Sequence, residues 1–410
     1  MGYKGAMTAT PRVPIPRAYF DRTGQSPFDP PAILSRLGEH APVSRMALLD
    51  GSPAYVVTGM AEGRQVLTDP RFSADRFAHR SSLRPNPRDP HGAGAGLFAA
   101  MDPPLHTRYR RLLTGAFTVR RVRELEPAIR DVAGTLIDAM LARGASADLV
   151  TDFGLPLPSL VICRLLGVAG AEQARFQSFA AAMTRLDTSP EQAVQLGAQF
   201  DEFLSRLIEH KRAHPGDDLL SGLITSDADP ALTNVELVNI ARQLLVAGHE
   251  TTSNMLALGL FALLRHPDQL DFLRAHPGHW AAAVEELLRY LSIAQLSVVR
   301  VTTQEVSLGE TTLPAGVPVI VAVSQANRDT ATWAAPQDLR VDRPHCPHLA
   351  FGLGIHQCLG QQLARLELTV GYTALLDRMP GLRLAVEAHE VPLRTDMTIF
   401  GVHALPVTWS

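Results

Sequence analysis

The sequence predicts a mainly α-helical protein with small β-sheets attached to its helical body. Apolar residues recur every three to four positions over residues 123–141, 198–213, 234–248 and 280–291, which is the period of helices that bury one face. Strand-like alternation is confined to short pieces near residues 56, 300 and 320 and to the C-terminal tail. No Gly/Ser linker, charge block or internal repeat divides the chain. We therefore expect one domain over residues 8–410 and interpret residues 1–7 as a leader.

The composition indicates a soluble cytoplasmic protein. Hydrophobic residues make up 46% of the 410 residues, which is enough for a large core, and the net charge of -3 provides no basic field for nucleic acid. Three cysteines form no disulfide framework, which fits a reducing compartment. The longest apolar run, residues 255–264, is about half as long as a membrane span. We expect a monomer that binds neither nucleic acid nor a membrane.

The stretch FGLGIHQCLGQQLAR, which begins at Phe351, sets a cysteine among glycines. Gly352, Gly354 and Gly360 permit a tight turn or a flat ligand that lies against the backbone. The residues after Cys358 have a helical pattern, and a position just before a helix N-terminus favours a thiolate over a thiol. The phenylalanine offers an aromatic edge that can shield the sulfur from water. This pattern favours a thiolate aimed at a metal.

Three alternatives for this loop remain open from the residues alone. The first is a buried thiol near a turn, without a chemical role. The second is a reactive cysteine whose catalytic base lies elsewhere in the chain. The third is a tetrahedral zinc site, although the usual C-x2-C and H-x3-H spacings are missing. Its candidate ligands are His345, Cys346, His348, His356 and Cys358.

The motif AGHETT, residues 247–252, lies inside a long apolar helix pattern. An adjacent acid and hydroxyl, Glu250 and Thr251, are costly in such a helix unless they find polar partners or water. As purely structural residues, the threonine would bond to its own helix and the glutamate would lie on a polar stripe. The motif is therefore a candidate for chemistry, with a structural alternative.

The cysteine loop resembles the haem-binding signature of the cytochrome P450 superfamily. The matching residues are Phe351, Gly354, His356, Cys358 and Gly360, followed by Ala364 and Arg365 in the next helix. The resemblance implies the cytochrome P450 fold, with haem b between a long central helix and the cysteine loop. It implies that Cys358 is the axial thiolate ligand of the haem iron, a ligand that pushes electron density towards O–O cleavage. Phe351, Gly352 and Gly360 are then cofactor-binding residues.

Two further motifs follow the order of that family. In AGHETT, the resemblance implies that Ala247 and Gly248 border the haem and leave room for dioxygen. It also implies that Glu250 and Thr251 are the catalytic acid and alcohol that deliver protons.

The stretch MDPPLHTRYRRLL contains two basic residues, His106 and Arg110, four positions apart on one helical face. The resemblance implies that they contact the haem propionates together with Arg300 and His356. Four donors from separate segments suit two carboxylates.

Glu286 and Arg289, three residues apart in a predicted helix, are able to form an ion pair. The resemblance implies a buried structural pair behind the cysteine loop, with a third partner from a downstream segment. In that segment, Asp338 stands where the family has an arginine. Two arrangements remain open: Arg289 lies between two carboxylates, or Arg340 is the third partner.

The resemblance implies a monooxygenase that inserts one atom of O2 into a lipophilic small molecule, by hydroxylation or epoxidation. The sequence as a whole resembles soluble actinobacterial enzymes that tailor polyketides, terpenoids or sterol-like compounds. Electrons are expected from NAD(P)H through a separate ferredoxin reductase and ferredoxin. The alternatives are a haem-thiolate peroxygenase or isomerase without a redox partner, and a non-catalytic haem or ligand sensor.

An acid-free basic segment, residues 103–123, is the predicted docking face for an acidic ferredoxin, with an ordinary charged surface as its alternative. Apart from Arg110, which the resemblance assigns to the propionates, its arginines are Arg108, Arg111, Arg120, Arg121 and Arg123.

The substrate pocket is expected to have mostly apolar walls. A Pro/Gly-rich stretch, residues 80–98, has the length of a lid or binding loop. The other predicted wall residues are Leu244, Val246, Ile293, Val298, Met397, Ile399 and Phe400.

Overall fold

The computed structural model describes most of the chain. The described residues are 15–22, 24, 26–75, 94–168, 172, 176, 179, 189–228, 230–296, 298–344 and 347–410. Three predictions fall wholly or partly outside these ranges: the leader of residues 1–7, residues 80–93 of the Pro/Gly-rich stretch, and the candidate zinc ligands His345 and Cys346.

Helices make up most of the described structure, which confirms the predicted fold class. The α-helices are α1 (Ala32–His40), α2 (Met60–Thr68), α3 (Leu105–Thr114), α4 (Val119–Glu124), α5 (Glu126–Arg143), α6 (Pro156–Leu166), α7 (Pro190–Ala213), α8 (Leu219–Ile224), α9 (Asn234–Arg265), α10 (Pro267–Ala275), α11 (Trp280–Leu291), α12 (Val323–Ala326) and α13 (Gln361–Arg378). Short 3-10 turns cover Arg17–Tyr19, Phe98–Ala100, Gly115–Phe117, Pro277–His279, Gly354–His356 and Ala388–Glu390, and a π-helical turn covers Val150–Gly154.

Helix α9 is the centre of the largest hydrophobic cluster. A capping box closes its first turn, because Thr233 Oγ1 accepts from the Glu236 N–H at 3.3 Å while the Glu236 carboxylate accepts from the Thr233 N–H at 2.6 Å. Residues 252–263 are buried around the whole circumference, as expected for a helix that crosses a core. Helices α6, α7 and α13 pack against it. The apolar period over residues 234–248 and the helix predicted around AGHETT both fall in α9, which extends to Arg265.

The strands form small sheets beside this helical body, as predicted. They are β1 (Val43–Ala47), β2 (Pro53–Val57), β3 (Phe72–Ser73), β4 (Ser146–Asp148), β5 (Val298–Thr302), β6 (Val306–Leu308), β7 (Thr311–Leu313), β8 (Pro318–Val321), β9 (Arg383–Leu384) and β10 (Pro406–Thr408). Within the described ranges, one sheet has the order β1-β2-β8-β5-β3, in which only β2 and β8 run parallel. The others are β4-β10-β9 and the hairpin β6-β7. Two smaller hydrophobic clusters cover the faces of the first sheet.

None of the helices in the described ranges is both long and apolar enough to cross a membrane.

The Glu286–Arg289 pair is buried behind the cysteine loop, and its third partner is Arg343. Arg289 Nε lies 2.7 Å from Glu286 Oε2, and Arg343 Nε lies 3.1 Å from both carboxylate oxygens. Neither arrangement left open by the sequence is therefore correct. Asp338 contributes only its backbone carbonyl, which accepts from Arg289 at 3.2 Å. The side chain of Arg340 points to Asp342 at 3.4 Å.

This network pins the chain that leads into the cysteine loop to helix α11. Arg289 also donates to the carbonyl oxygens of Asn327 at 3.0 Å and Pro336 at 2.9 Å. Asn327 in turn accepts from the Leu349 N–H at 2.8 Å, two residues before Phe351. The network satisfies buried charges with hydrogen bonds, which is the condition under which such charges are tolerated.

Candidate active site

The cysteine loop is a tight turn that depends on its glycines. Gly352 and Gly354 adopt left-handed φ angles of 66° and 75°, which favour glycine. A Cβ on Gly354 would approach the carbonyl oxygen of Leu67 to 2.7 Å, so a side chain has no room there. The turn is closed where the Cys358 N–H donates to the Phe351 carbonyl at 2.8 Å. The cysteine is thereby fixed at the end of a rigid loop.

Helix α13 begins three residues after this cysteine, as the sequence predicted. Gly360 precedes its first residue, and the Gly360 carbonyl accepts from the Ala364 N–H at 2.9 Å. Cys358 is exposed to the cavity that it lines, although protein surrounds the residue on most sides. Burial raises the pKa of the Cys358 thiol, and the Gly360 N–H, Arg110 and Arg365 oppose this effect. A bound cation is what would hold this sulfur as a thiolate.

The cavity has a volume of about 370 Å³ and lies between helix α9 and the cysteine loop. Its lining is mostly apolar. Most of the residues predicted for the site line it: His106, Arg110, Leu244, Ala247, Gly248, Thr251, Ile293, Val298, Arg300, Phe351, Gly352, His356, Cys358 and Gly360. The fold thus brings together segments that are up to about 250 residues apart in the sequence, the difference between positions 106 and 360.

One face of α9 forms the wall opposite the cysteine. Lining residues recur in pairs along it, with Ala247 and Gly248 followed one turn later by Thr251 and Thr252. Residues four positions apart lie on the same face of an α-helix, so these two pairs share one face. The Thr251 hydroxyl donates to the Ala247 carbonyl at 2.7 Å, the bond expected of a structural threonine. Its oxygen can still accept a hydrogen bond from a group in the cavity.

Glu250 lies beside this face, not on it. Its carboxylate oxygen Oε2 pairs with Arg394 at 3.0 Å, and both side chains are buried. Asn254 links the two: its Nδ2 donates to the Glu250 carbonyl at 2.6 Å and its Oδ1 accepts from Arg394 at 3.1 Å. The other oxygen of Glu250, Oε1, has no hydrogen-bond partner in the described structure. The acid is therefore held by an arginine that sequence reasoning did not identify.

Four residues predicted as pocket walls do not line the cavity in the described structure: Val246, Met397, Ile399 and Phe400. Val246 lies off the lining face, because the step of about 100° from Ala247 back to Val246 turns away from Leu244, Gly248 and Thr251. Ile399 and Phe400 form a second layer, since Ile399 bridges to Ala294 and the Phe400 N–H donates to the Ile293 carbonyl at 3.0 Å. The phenylalanine ring instead packs 4.2 Å from the Arg22 guanidinium carbon.

Two imidazoles and two guanidiniums converge at one end of the cavity: His106, Arg110, Arg300 and His356. The two imidazole rings lie 4.2 Å apart between centroids. Burial and the charges of Arg300, His106 and Arg110 lower the pKa of His356 to about 3, and burial and the two arginines also lower the pKa of His106. The negative charge of Asp102 counteracts the lowering of the His106 pKa. The Asp102 carboxylate itself accepts a hydrogen bond from the Ala74 N–H at 2.9 Å.

All four ring nitrogens of His106 and His356 are buried without a hydrogen-bond partner in the described structure. Buried polar atoms in that state are rare and costly. An anionic ligand that accepts from them would remove both the unmet hydrogen bonds and the excess positive charge. The donors therefore fit a group that carries two carboxylates, as haem does.

Sequence reasoning missed a buried acid on this cavity, Glu367. Burial raises its pKa to about 8, although a hydrogen bond from Thr252 opposes the shift. Both residues line the cavity. Helical spacing could have revealed it, since Leu363 and Val370, four positions before and three after, are buried on the same side of α13.

The metal alternatives can be compared with this geometry. Among the described residues, no group of three or more histidines, cysteines, aspartates and glutamates could hold a metal ion. His348 is occupied elsewhere, because its Nε2 lies 3.2 Å from the Glu285 carboxylate. His345 and Cys346 lie outside the described residues.

Comparison with known proteins agrees with this geometry. The family model "Cytochrome P450" matches residues 191–275 and 280–401. Cytochrome P450-SU2 from Streptomyces griseolus is 45% identical over 386 residues, which cover 93% of this chain and 94% of the relative. Pentalenic acid synthase from Streptomyces avermitilis is 45% identical over 390 residues, covering 95% and 96%.

The structural comparison gives the same result. The crystal structure of CYP105P1 in complex with filipin I matches with a TM-score of 0.89 and 41% identity, over 95% of this chain and 98% of that one. Rif16 in complex with R-L matches with a TM-score of 0.86 and 48% identity, over 96% and 100%. The chain therefore belongs to the cytochrome P450 family of haem-iron monooxygenases.

Proposed function

We propose that this enzyme binds haem b and inserts one atom of O2 into a lipophilic small molecule, by hydroxylation or epoxidation. The observation that carries the proposal is the set of four unpartnered, buried ring nitrogens of His106 and His356 in the cavity that Cys358 faces. Arg110 and Arg300 complete the donors for two propionates. The sulfur of Cys358 would hold the iron. When bound, haem supplies the oxygen-activating chemistry.

The side chains of α9 would control water and protons at the opposite wall. Ala247 and Gly248 carry little or no side chain, so they leave space next to the cofactor. The Thr251 hydroxyl accepts and passes on a hydrogen bond at this wall. Glu250, paired with Arg394, is the acid that resupplies the proton to Thr251 when its carboxylate turns towards the cavity. The apolar lining keeps other water away from the reacting atoms.

The substrate is proposed to be a polyketide, terpenoid or sterol-like compound in natural-product tailoring. Leu244, Ile293 and Val298 provide apolar wall, and Gln243 adds one amide to the same lining. The names of similar proteins support this class. They include a pentalenic acid synthase, a vitamin D3 dihydroxylase from Streptomyces griseolus and CYP105P1 crystallised with filipin I.

The electron donor is proposed to be a ferredoxin, itself reduced by a reductase that uses NAD(P)H. Helix α4 packs against α13, the helix that follows Cys358, so an acidic partner bound there would lie near the sulfur. Arg111, Arg120 and Arg123 are exposed on this segment. Arg108 is a weaker candidate than predicted, because it pairs with the buried Glu236 at 2.6 Å. The remaining arginine, Arg121, pairs with Glu124 at 3.0 Å. A monomeric state and a cytoplasmic location complete the proposal.

Turnover with isotope-labelled oxygen tests this function. Lipophilic compounds are first screened for a spin-state change in the absorption spectrum of the haem-loaded enzyme. Binding compounds are then incubated with ferredoxin, ferredoxin reductase, NADPH and ¹⁸O2. The expected result is a product that carries one ¹⁸O atom and forms only when electrons are supplied.

Two outcomes would support the alternatives instead. Equal rates with hydrogen peroxide alone, without a ferredoxin, would identify a peroxygenase. Tight binding with a spin-state change but neither product nor substrate-dependent NADPH consumption would identify a sensor.

A further inference from the structure

A cluster of charged side chains lies behind the cysteine loop, outside the cavity lining. Arg365 of α13 binds Glu285 of α11 through two bonds, with Nε at 2.5 Å and Nη2 at 2.9 Å from the carboxylate oxygens. A paired arrangement of this kind fixes the plane of the guanidinium. Both side chains are largely buried, with exposed fractions of 27% and 21%. The pair joins the two helices on either side of the loop.

The loop itself closes the cluster through His348. The His348 Nδ1 accepts from the Ala350 N–H at 3.2 Å, so its proton resides on Nε2. That proton points to the Glu285 carboxylate, 3.2 Å away. Burial alone would raise the pKa of Glu285, but the bonds from His348 and Arg365 outweigh it and hold the pKa at about 2. The carboxylate is therefore charged over the whole physiological range.

The guanidinium of Arg365 contacts the loop that carries the cysteine. Its carbon lies 4.6 Å from the centroid of the Phe351 ring, within the range of a cation–π contact. The Phe351 carbonyl accepts from the Cys358 N–H at 2.8 Å. Arg365 thus places a fixed positive charge against the ring of Phe351, close enough to act on the Cys358 sulfur, and Glu285 of α11 binds that charge directly.

We propose that Arg365 and Glu285 are positioning residues that set the reduction potential at the Cys358-bound iron, with opposite signs. Reduction adds one electron and no proton at the iron, so the site becomes more negative by one charge. A nearby positive charge favours that state and a nearby negative charge opposes it, most strongly where the surroundings exclude water. The inference rests on the proposed role of Cys358 as iron ligand.

A purely structural brace makes a different prediction. If the pair only held the loop in place, removing either partner would loosen the same contact and shift the potential in the same direction. If the charges act on the site, Arg365→Gln lowers the potential, and Glu285→Gln raises it because Arg365 is left uncompensated. The double variant then returns close to the wild-type value.

The test is a spectroelectrochemical titration of the haem-loaded enzyme, in wild type and in each variant. Arg365→Lys keeps the charge and is expected to stay nearer to wild type than Arg365→Gln. The matched control is Arg378→Gln on the same helix, whose side chain is 47% exposed and pairs with Asp138 at 2.7 Å. The control is expected to leave the potential unchanged.

Shifts of the same sign in Arg365→Gln and Glu285→Gln, or shifts no larger than that of the control, would overturn the inference. If Arg365→Gln fails to load haem, the inference is tested with Glu285→Gln and Arg365→Lys. A lowered potential in Glu285→Gln would then contradict the inference. The reduced, carbon-monoxide-treated spectrum of each sample keeps the two proposals apart. A thiolate-type band with the wrong order of potentials refutes only this inference, whereas its absence in wild type refutes the proposed function.

Discussion

The imidazole rings of His106 and His356 lie 4.2 Å apart, yet no nitrogen of either ring has a hydrogen-bond partner in the described structure. Arg110 and Arg300 line the same end of the cavity. A chain that folds around this arrangement without a ligand keeps unmet polar groups and like charges together. The arrangement is stable when an anion with two carboxylates lies between the four side chains.

Removing Arg110 is therefore expected to weaken haem retention. A hydrogen bond to a charged group contributes about 1.5–3 kcal/mol, so Arg110→Gln should speed haem transfer to apomyoglobin by about 10- to 100-fold. Arg111→Gln is the matched control, since Arg111 is the next residue of α3 and is exposed. Equal transfer rates for the two variants would contradict the assignment of Arg110 to a propionate.

Removing the Thr251 hydroxyl is expected to uncouple oxygen consumption from product formation. Without its hydrogen bonds, protons reach the active site in the wrong place and reduced oxygen leaves as hydrogen peroxide. Thr251→Ala should lower the product formed per NADPH by roughly tenfold or more, with haem content unchanged. The measurement compares NADPH, product and peroxide in one assay.

Thr135→Ala is the control for that experiment. Thr135 also donates to the carbonyl four residues earlier, Asp131, at 2.9 Å, but lies exposed on α5. If the product formed per NADPH is unchanged in Thr251→Ala, the prediction is wrong. The hydrogen bond to the Ala247 carbonyl would then be the only role of the Thr251 hydroxyl.

Glu367 is expected to make the protein less stable as the pH rises. Its pKa is about 8 in the folded chain and near the ordinary glutamate value of about 4.3 in the unfolded chain. The folded state therefore holds a proton that the unfolded state has lost, and stability decreases between these pH values by up to about 1.4 kcal/mol per unit.

Glu367→Gln removes this dependence, so its urea unfolding midpoint should fall less than that of wild type between pH 5 and pH 8. Glu305→Gln, at an exposed position, is the control. Parallel changes in wild type and Glu367→Gln would show that Glu367 is already ionised in the folded protein.

Arg343 is expected to be a stability residue. Arg343→Gln leaves the buried Glu286 with one of its two arginines, and breaking a buried pair costs about 3 kcal/mol or more. Arg340→Gln should cost within about 0.5 kcal/mol, because the Arg340 side chain is 47% exposed. Urea unfolding measures both. The reverse order would restore Arg340 as the third partner.

The sequence alone was sufficient to predict those parts of the fold and the site that depend on residues close together in the chain. The spacing of Gly354, Cys358 and Gly360 predicts a glycine turn before a helix, and the structure has that turn. The central helix and the small sheets also followed from local apolar patterns.

It was insufficient where a partner comes from a distant segment. Nothing near Glu250 indicates that Arg394, 144 positions later, binds its carboxylate at 3.0 Å. Arg343 was missed because the alignment of one short segment pointed to Asp338 and Arg340. Ile399 and Phe400 were wrongly predicted as wall residues, because they lie in the layer behind the cavity wall. An apolar segment next to a pocket does not reveal which of its side chains face the pocket.

The absorption spectrum of the reduced, carbon-monoxide-treated enzyme tests the central claim most directly. The account predicts the red-shifted band of a thiolate ligand in wild type, and its loss in Cys358→Ala and Cys358→His but not in Cys163→Ala, which removes a buried cysteine of α6. A wild-type protein that takes up no haem, or a band that persists in Cys358→Ala, would contradict it.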